Sequence, residues 1–271
     1  MRGRWLILAG VAIAVVNGVG CGGSDHERVN PEAMLDSAAR HPIESADTEI
    51  SLHLDGVPQL PGTLRLRLEG PYRSGEPERI PSFDWRLSAS ALGFPVGGRL
   101  ISTGENVYLS VYGNQYEVGR AEVAAANARL AGAGGLRLNL RRWLGPARVT
   151  GEGSAGGEDC ERIAAPLRGQ VVQRDLEPAA SELGLGSPRV SGKATACVGF
   201  DDRVLHELGL DAVLVPAPSE SALLGGATAV RVNASVTFSD VGEPQEIRAP
   251  SGSFRPIRDL FLTLQDLAGP G

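Results

Sequence analysis

Val230-Arg231-Val232-Asn233-Ala234-Ser235-Val236-Thr237-Phe238 alternates apolar and polar residues without interruption. A β-strand points successive side chains to opposite faces, so this run carries one dry face and one wet face. The same period recurs in Ile50-Ser51-Leu52-His53-Leu54, in Leu64-Arg65-Leu66-Arg67-Leu68-Glu69 and in Phe83-Asp84-Trp85-Arg86-Leu87-Ser88-Ala89. Val107, Leu109 and Val111 continue it in phase. Connections such as Gly93-Phe94-Pro95 and Gly104-Glu105-Asn106 are short and turn-rich, which predicts antiparallel neighbours. Val190–Val198 and Ala147–Leu167 add further strands, the latter folded at a glycine-rich bend. The reading is an α+β protein: a strongly curved antiparallel half-barrel of roughly eight to ten strands, with short helices covering its concave face.

Helical signals are fewer. Asn30-Pro31-Glu32 supplies an N-cap, a proline for the first turn and an acid at the positive helix end. Met34, Ala38 and Ala39 form its apolar side, and His41-Pro42 stops it. Arg120–Ala131 is alanine-rich and runs into the glycine cluster Gly132–Gly135, a candidate hinge. Leu136–Leu144 places Leu136, Leu140, Trp143 and Leu144 on one side. Asp175–Leu183 and Asp201–Leu208 each begin with an Asp cap, and Pro256–Leu267 reads as a last helix.

Ahead of this body stands an export address. Arg2 and Arg4 precede the uncharged apolar run Trp5–Val16, and Asn17-Gly18-Val19-Gly20 leads to Cys21. Twelve helical residues reach about 18 Å, short of a hydrocarbon core of about 30 Å, so Met1–Gly20 reads as a signal peptide and not as a span. Residues 21–29 are a polar tether, and residues 30–271 form a single domain. Gly18-Val19-Gly20-Cys21 resembles the lipobox of bacterial lipoproteins, which implies acylation of Cys21 and a protein held at the outer face of the cell membrane. Two acyl chains anchor stably where one does not. Loss of the leader removes two arginines and no acid, moving the formal charge from −6 to −8. An acidic body with 5% aromatic residues does not fit nucleic acid, and surface charge alone would not hold it on anionic lipid.

With Cys21 acylated, Cys160 and Cys197 remain, the even number one disulfide needs in an oxidising compartment. A catalytic thiol and a metal pair are the competing uses of these two residues. Neither sits in a C-x-x-C, and His206 is the one histidine near them in sequence. No histidine has a metal-ligand spacing partner and no G-x-S-x-G elbow occurs, so the expectation is no metal, no cofactor and no enzymatic activity. Gly151-Glu152-Gly153-Ser154-Ala155-Gly156 matches G-x-G-x-x-G, but no helix signal follows it, and glycine there suits a hairpin. Trp143 beside Arg141 and Arg142 could dock a cavity mouth on lipid headgroups, or Trp143 could pack beneath the sheet with its arginines solvated.

The order of parts carries one resemblance. It runs through Leu66-Arg67-Leu68-Glu69-Gly70-Pro71-Tyr72, Pro81-Ser82-Phe83-Asp84 and Ser102-Thr103-Gly104-Glu105-Asn106-Val107-Tyr108-Leu109. It continues through Tyr112-Gly113-Asn114-Gln115-Tyr116-Glu117-Val118, Trp143-Leu144 and Phe238-Ser239-Asp240-Val241-Gly242-Glu243-Pro244. Together these resemble actinobacterial lipoproteins of the LppX/LprAFG type, relatives in fold of the LolA and LolB carriers. The resemblance implies a hydrophobic cavity that takes a lipid or acylated glycolipid for transport across the envelope. The apolar positions that would line it are Leu64, Leu66, Phe83, Trp85, Leu87, Val107, Leu109, Val111, Val230 and Val232. The alternative is an envelope interaction module of the same fold with a filled core; a protein partner cannot be read from the residues.

Overall fold

The computed structural model describes residues 30–57, 63–75, 79–91, 94–132, 140–182, 188–217, 226–260 and 262. Helix α1 (Pro31–Arg40) comes first, followed by strands β1 (Ser45–Asp55), β2 (Leu64–Arg73), β3 (Ser82–Ala91), β4 (Phe94–Thr103), β5 (Val107–Val111) and β6 (Asn114–Glu117). Helices α2 (Arg120–Gly132) and α3 (Leu140–Trp143) then precede the hairpin β7 (Arg148–Ala155) and β8 (Glu158–Pro166). Helix α4 (Gly169–Glu182) leads to β9 (Arg189–Gly199), β10 (Leu205–Val215), β11 (Val230–Ser239) and the short β12 (Arg255–Pro256).

All twelve strands join one open sheet in the order β12-β6-β5-β4-β3-β2-β1-β11-β10-β9-β8-β7. Every pairing is antiparallel except that of β12 with β6. The alternating runs meet in phase. Ile50 stands opposite Leu68 and Val236, Leu52 opposite Leu66 and Ala234, and Leu54 opposite Leu64 and Val232. A one-residue slip would turn each apolar side chain to the wet face, so hydrophobic burial fixes this register.

Several sequence-based expectations are corrected. Residues 205–215 form strand β10, not the tail of a helix from Asp201. The expected cap Asp201 is not used as one; it is Asp202 whose Oδ1 accepts from Val204 N at 3.0 Å, closing a turn in which Arg203 has φ of 58°. Side-chain capping serves turns as readily as helix starts, which is why the signal misled. Phe94-Pro95 belongs to β4 and not to a turn. Helix α4 starts at Gly169, six residues before the Asp cap at Asp175. Of the Leu136–Leu144 helix, residues 140–143 are helical and Leu144 bridges Leu167, while residues 136–139 lie outside the described residues. Residues 257–260 and 262 are helical, the remainder of Pro256–Leu267 being outside them, and Pro256 itself is in β12. The leader, the tether with Cys21, and residues 133–135 of the candidate hinge are likewise outside.

Local chemistry explains the joints. Asn30 Oδ1 accepts from Glu32 N and Ala33 N at 3.0 and 3.2 Å, capping α1. The G-x-G-x-x-G run lies in β7 and its turn: Gly156 and Gly157 have φ of 61° and 89°, the two left-handed positions of a tight hairpin. Cys160 and Cys197 are joined in a disulfide between β8 and β9, with Cα atoms 5.4 Å apart. Helix α1 sets Met34 and Ala38 on Ile163, Ala196 and Val198 of the apolar face, and α4 lies against β9. Helix α2 buries Val123 and is pinned by Asn127, whose side chain accepts from Ile80 N at 2.9 Å and donates to Gly104 O at 3.3 Å.

Candidate functional site

The register puts all ten candidate cavity residues on one face of the sheet. Leu66 pairs with Ala89, Trp85 with Leu100 and Leu87 with Gly98; Leu100 and Gly98 pair onward with Leu109 and Val111. Val107 faces Ser102, itself opposite Phe83, and Val230 and Val232 continue the face from β11 through Leu214 and Ala212.

This face has two unlike ends. At one, Ile50, Leu68, Tyr72, Phe83 and Trp85 form a dry cluster with Ile43 and Ala46. The Phe83 and Trp85 rings stack with centroids 3.8 Å apart. The Trp85 indole donates to Thr48 Oγ1 at 2.9 Å, and that hydroxyl donates to Gly70 O at 2.9 Å, so the polar atoms carried into the core are satisfied. The Tyr72 hydroxyl is the exception: it is buried without a partner, and burial pushes its pKa upward. At the other end Leu52, Leu54, Leu64, Leu66 and Val232 are only half-buried, while Leu109 and Val111, also half-buried, lie in the rows of Trp85 and Leu87 near the sheet's margin. Of the ten candidates, Phe83, Trp85 and Val230 are buried and the other seven are half-buried.

Two cavities among the described residues lie elsewhere, and none of the ten candidates lines either. One of about 340 Å³ opens on the wet face over β1, β11, β10 and β9, among Ser51, His53, Lys193, Asp211 and Asn233. The other, of about 270 Å³, lies beside Asp84, Arg99, Glu246 and Arg248. Its charges are already paired: Arg99 reaches Asp84 through two nitrogens at 2.6 and 2.5 Å, and that hydrogen bond raises the guanidinium pKa further.

The Trp143 indole donates to Asp175 Oδ2 of α4 at 2.8 Å, and Arg142 is 3.6 Å from the same carboxylate. Trp143 is half-buried and the Arg141 side chain is outside the described residues. His206, on β10 and not on a helix, is buried with Nε2 2.8 Å from Asp202 Oδ2. Among the described residues no group of three or more His, Cys, Asp or Glu could hold a metal ion, and no helix is long and apolar enough to cross a membrane. The sequence reading missed Asn106, a buried hub whose Oδ1 accepts from Val107 N and Gly119 N while its Nδ2 donates to Glu117. Its place directly after Gly104-Glu105 was the available signal, since Asn favours such turns.

No family model and no curated protein matches the sequence. In structure the chain is similar to the Mycobacterium tuberculosis lipoprotein LppX, with 13% identity and a TM-score of 0.45 over 80% of this chain and 98% of that one. LprF from Mycobacterium bovis gives 15% identity and a TM-score of 0.46 over 82% and 97%. A LolA superfamily protein from Nitrosomonas europaea gives 9% and 0.21 over 83% and 96%. The resemblance carried by the sequence segments is to this same group.

Proposed function

We propose that this protein is an envelope lipoprotein, anchored through acylated Cys21 at the outer face of the cell membrane, that holds a lipid or acylated glycolipid as a carrier or transport chaperone. The guest lies against the half-buried end of the apolar face, with the sheet curving as a half-barrel around it and helices above. Residues 1–20 are the signal peptide, 21–29 the tether and 30–271 the single carrier domain. Binding is non-covalent and needs no catalytic residue.

The observation that supports this reading is the unequal burial along one continuous apolar face. Leucines and a valine at Leu52, Leu54, Leu64, Leu66 and Val232 keep part of their surface in water. An acyl chain laid across them recovers about 25 cal/mol for each Å² of apolar area it removes from water. The dry cluster of Phe83 and Trp85 then serves as the floor that stops the chain, not as its resting place.

Native mass spectrometry of the gently purified protein tests the reading, together with uptake of a fluorescent fatty-acyl probe. Co-purified lipid and saturable uptake are expected, and Leu66→Glu should abolish uptake while circular dichroism is unchanged. Neither lipid nor uptake would leave the filled-core interaction module as the better account. Cys21→Ser should release the protein from the membrane fraction; unchanged retention would refute the anchor.

A further inference from the structure

The wet face of the sheet holds the larger of the two cavities, and nothing in the lipid reading uses it. Register explains why it is hollow. Ser51, Ser235, Gly209 and Thr195 stand opposite one another across β1, β11, β10 and β9. Gly209 carries no side chain, and a Cβ built there would meet Thr195 Oγ1 at 2.5 Å, so the gap is filled by the threonine hydroxyl and open above it. The next positions along the same strands, His53, Asn233, Asp211 and Lys193, are also mutually opposed and exposed, and they form one wall. Four strands set about 4.8 Å apart make this a hollow roughly 14 Å long, running across the strands.

We propose that this hollow binds a neutral oligosaccharide. Its floor offers the hydroxyls of Ser51, Ser235 and Thr195, and its wall an amide, a carboxylate, an ammonium and an imidazole. That set both donates and accepts, as a chain of sugar hydroxyls requires. Lys193, the only lysine in the chain, stands across the pairing from Asp211, so the wall carries one fixed charge of each sign and attracts neither anions nor cations strongly. Leu210 and Ala234 also line the hollow, between the polar positions, and supply an apolar patch for the C–H face of a sugar ring. Hydrogen bonds made in competition with water give modest affinity, with a Kd on the order of 1 mM.

Saturation-transfer NMR on the full chain, purified in a detergent without a sugar headgroup, decides the matter with maltohexaose, chitohexaose and a sulfated heparin hexasaccharide as probes. Transfer to at least one of the two neutral probes is expected, with an affinity lowered about tenfold by Asp211→Ala combined with Asn233→Ala. Ser235→Leu, which fills the floor and removes no charge, should abolish transfer as well. Silence with both neutral probes, preference for the sulfated one, or unaltered transfer in both variants would each overturn the assignment. Uptake of the fatty-acyl probe should be unchanged in these variants, since the hollow and the apolar face lie on opposite sides of the sheet; the two readings therefore fail separately.

Discussion

The two ends of the apolar face are built from the same alternating strands, yet one is sealed and the other is not. Around Tyr72, Phe83 and Trp85 the side chains are large, aromatic and covered on every side. Around Leu52, Leu54, Leu64 and Leu66 they are smaller, and each keeps partial contact with water. Strand pairing alone is therefore not what makes a core. The aromatic volume at positions 72, 83 and 85, with Thr48 satisfying the indole, does that at one end; at the other, among the described residues, the apolar side chains stay half-buried.

Truncation should separate the ends most sharply. Trp85→Ala removes the largest fully buried side chain of the described residues and the indole's hydrogen bond to Thr48, and is expected to cost about 3–5 kcal/mol in urea unfolding. A much smaller loss would mean that the sealed end is not the stability centre. Next in size, Cys160→Ala with Cys197→Ala opens a loop spanning 37 residues, for which chain entropy gives about 4 kcal/mol and measured losses commonly fall nearer 2–3. That loss should fall on the β8–β9 side and leave fatty-acyl uptake intact at temperatures where the fold persists. Leu66→Ala, at the half-open end, should cost only about 1 kcal/mol because the side chain never leaves water completely, while weakening lipid uptake more than Trp85→Ala does under folded conditions.

The smallest effect is also the most diagnostic. Tyr72→Phe removes a buried hydroxyl that has no partner, so stability at neutral pH should change by less than about 1 kcal/mol, and in the favourable direction. Burial holds the folded-state phenol protonated above its ordinary value, whereas the unfolded chain ionises near pH 10. The wild-type contribution is therefore complete below about pH 10 and is lost as pH rises above it. The Phe variant should lose less stability between about pH 10 and 11; parallel alkaline curves for the two proteins would show that Tyr72 reaches water.

Much of this architecture is legible in residue order, because the information that sets a sheet is period two. Ile50, Leu52 and Leu54 announced their strand and its dry face, though not its partners, and the glycines at 156 and 157 announced a hairpin. What escaped reading has a common cause: side chains whose local chemistry serves two structures. Asp201 reads as a helix cap, whereas its neighbour Asp202 closes a turn, and that reading hides the alternation of Leu208, Leu210, Ala212 and Leu214 behind it. Gly97-Gly98 broke the apparent pattern of β4, although Gly98 is where Ser110 O of β5 comes too near for a side chain. The wet-face hollow was invisible for a different reason, since Ser51, Thr195, Gly209 and Ser235 become neighbours only when four separated segments are aligned. Which part of the apolar face stays open likewise depends on volume in three dimensions, and alternation carries no record of it.

Strand β1 lies between β2, its near neighbour in sequence, and β11, almost two hundred residues further on. A ribosome delivers the chain from its N-terminus, so the midline of the sheet waits with an unsatisfied edge until residues 230–239 have emerged. Hairpins on either wing can form early, but their union is a late, long-range closure of the kind that slows β-rich folding. The seam that joins the two wings therefore depends on residues 230–239 and closes only after the hairpins flanking it can form.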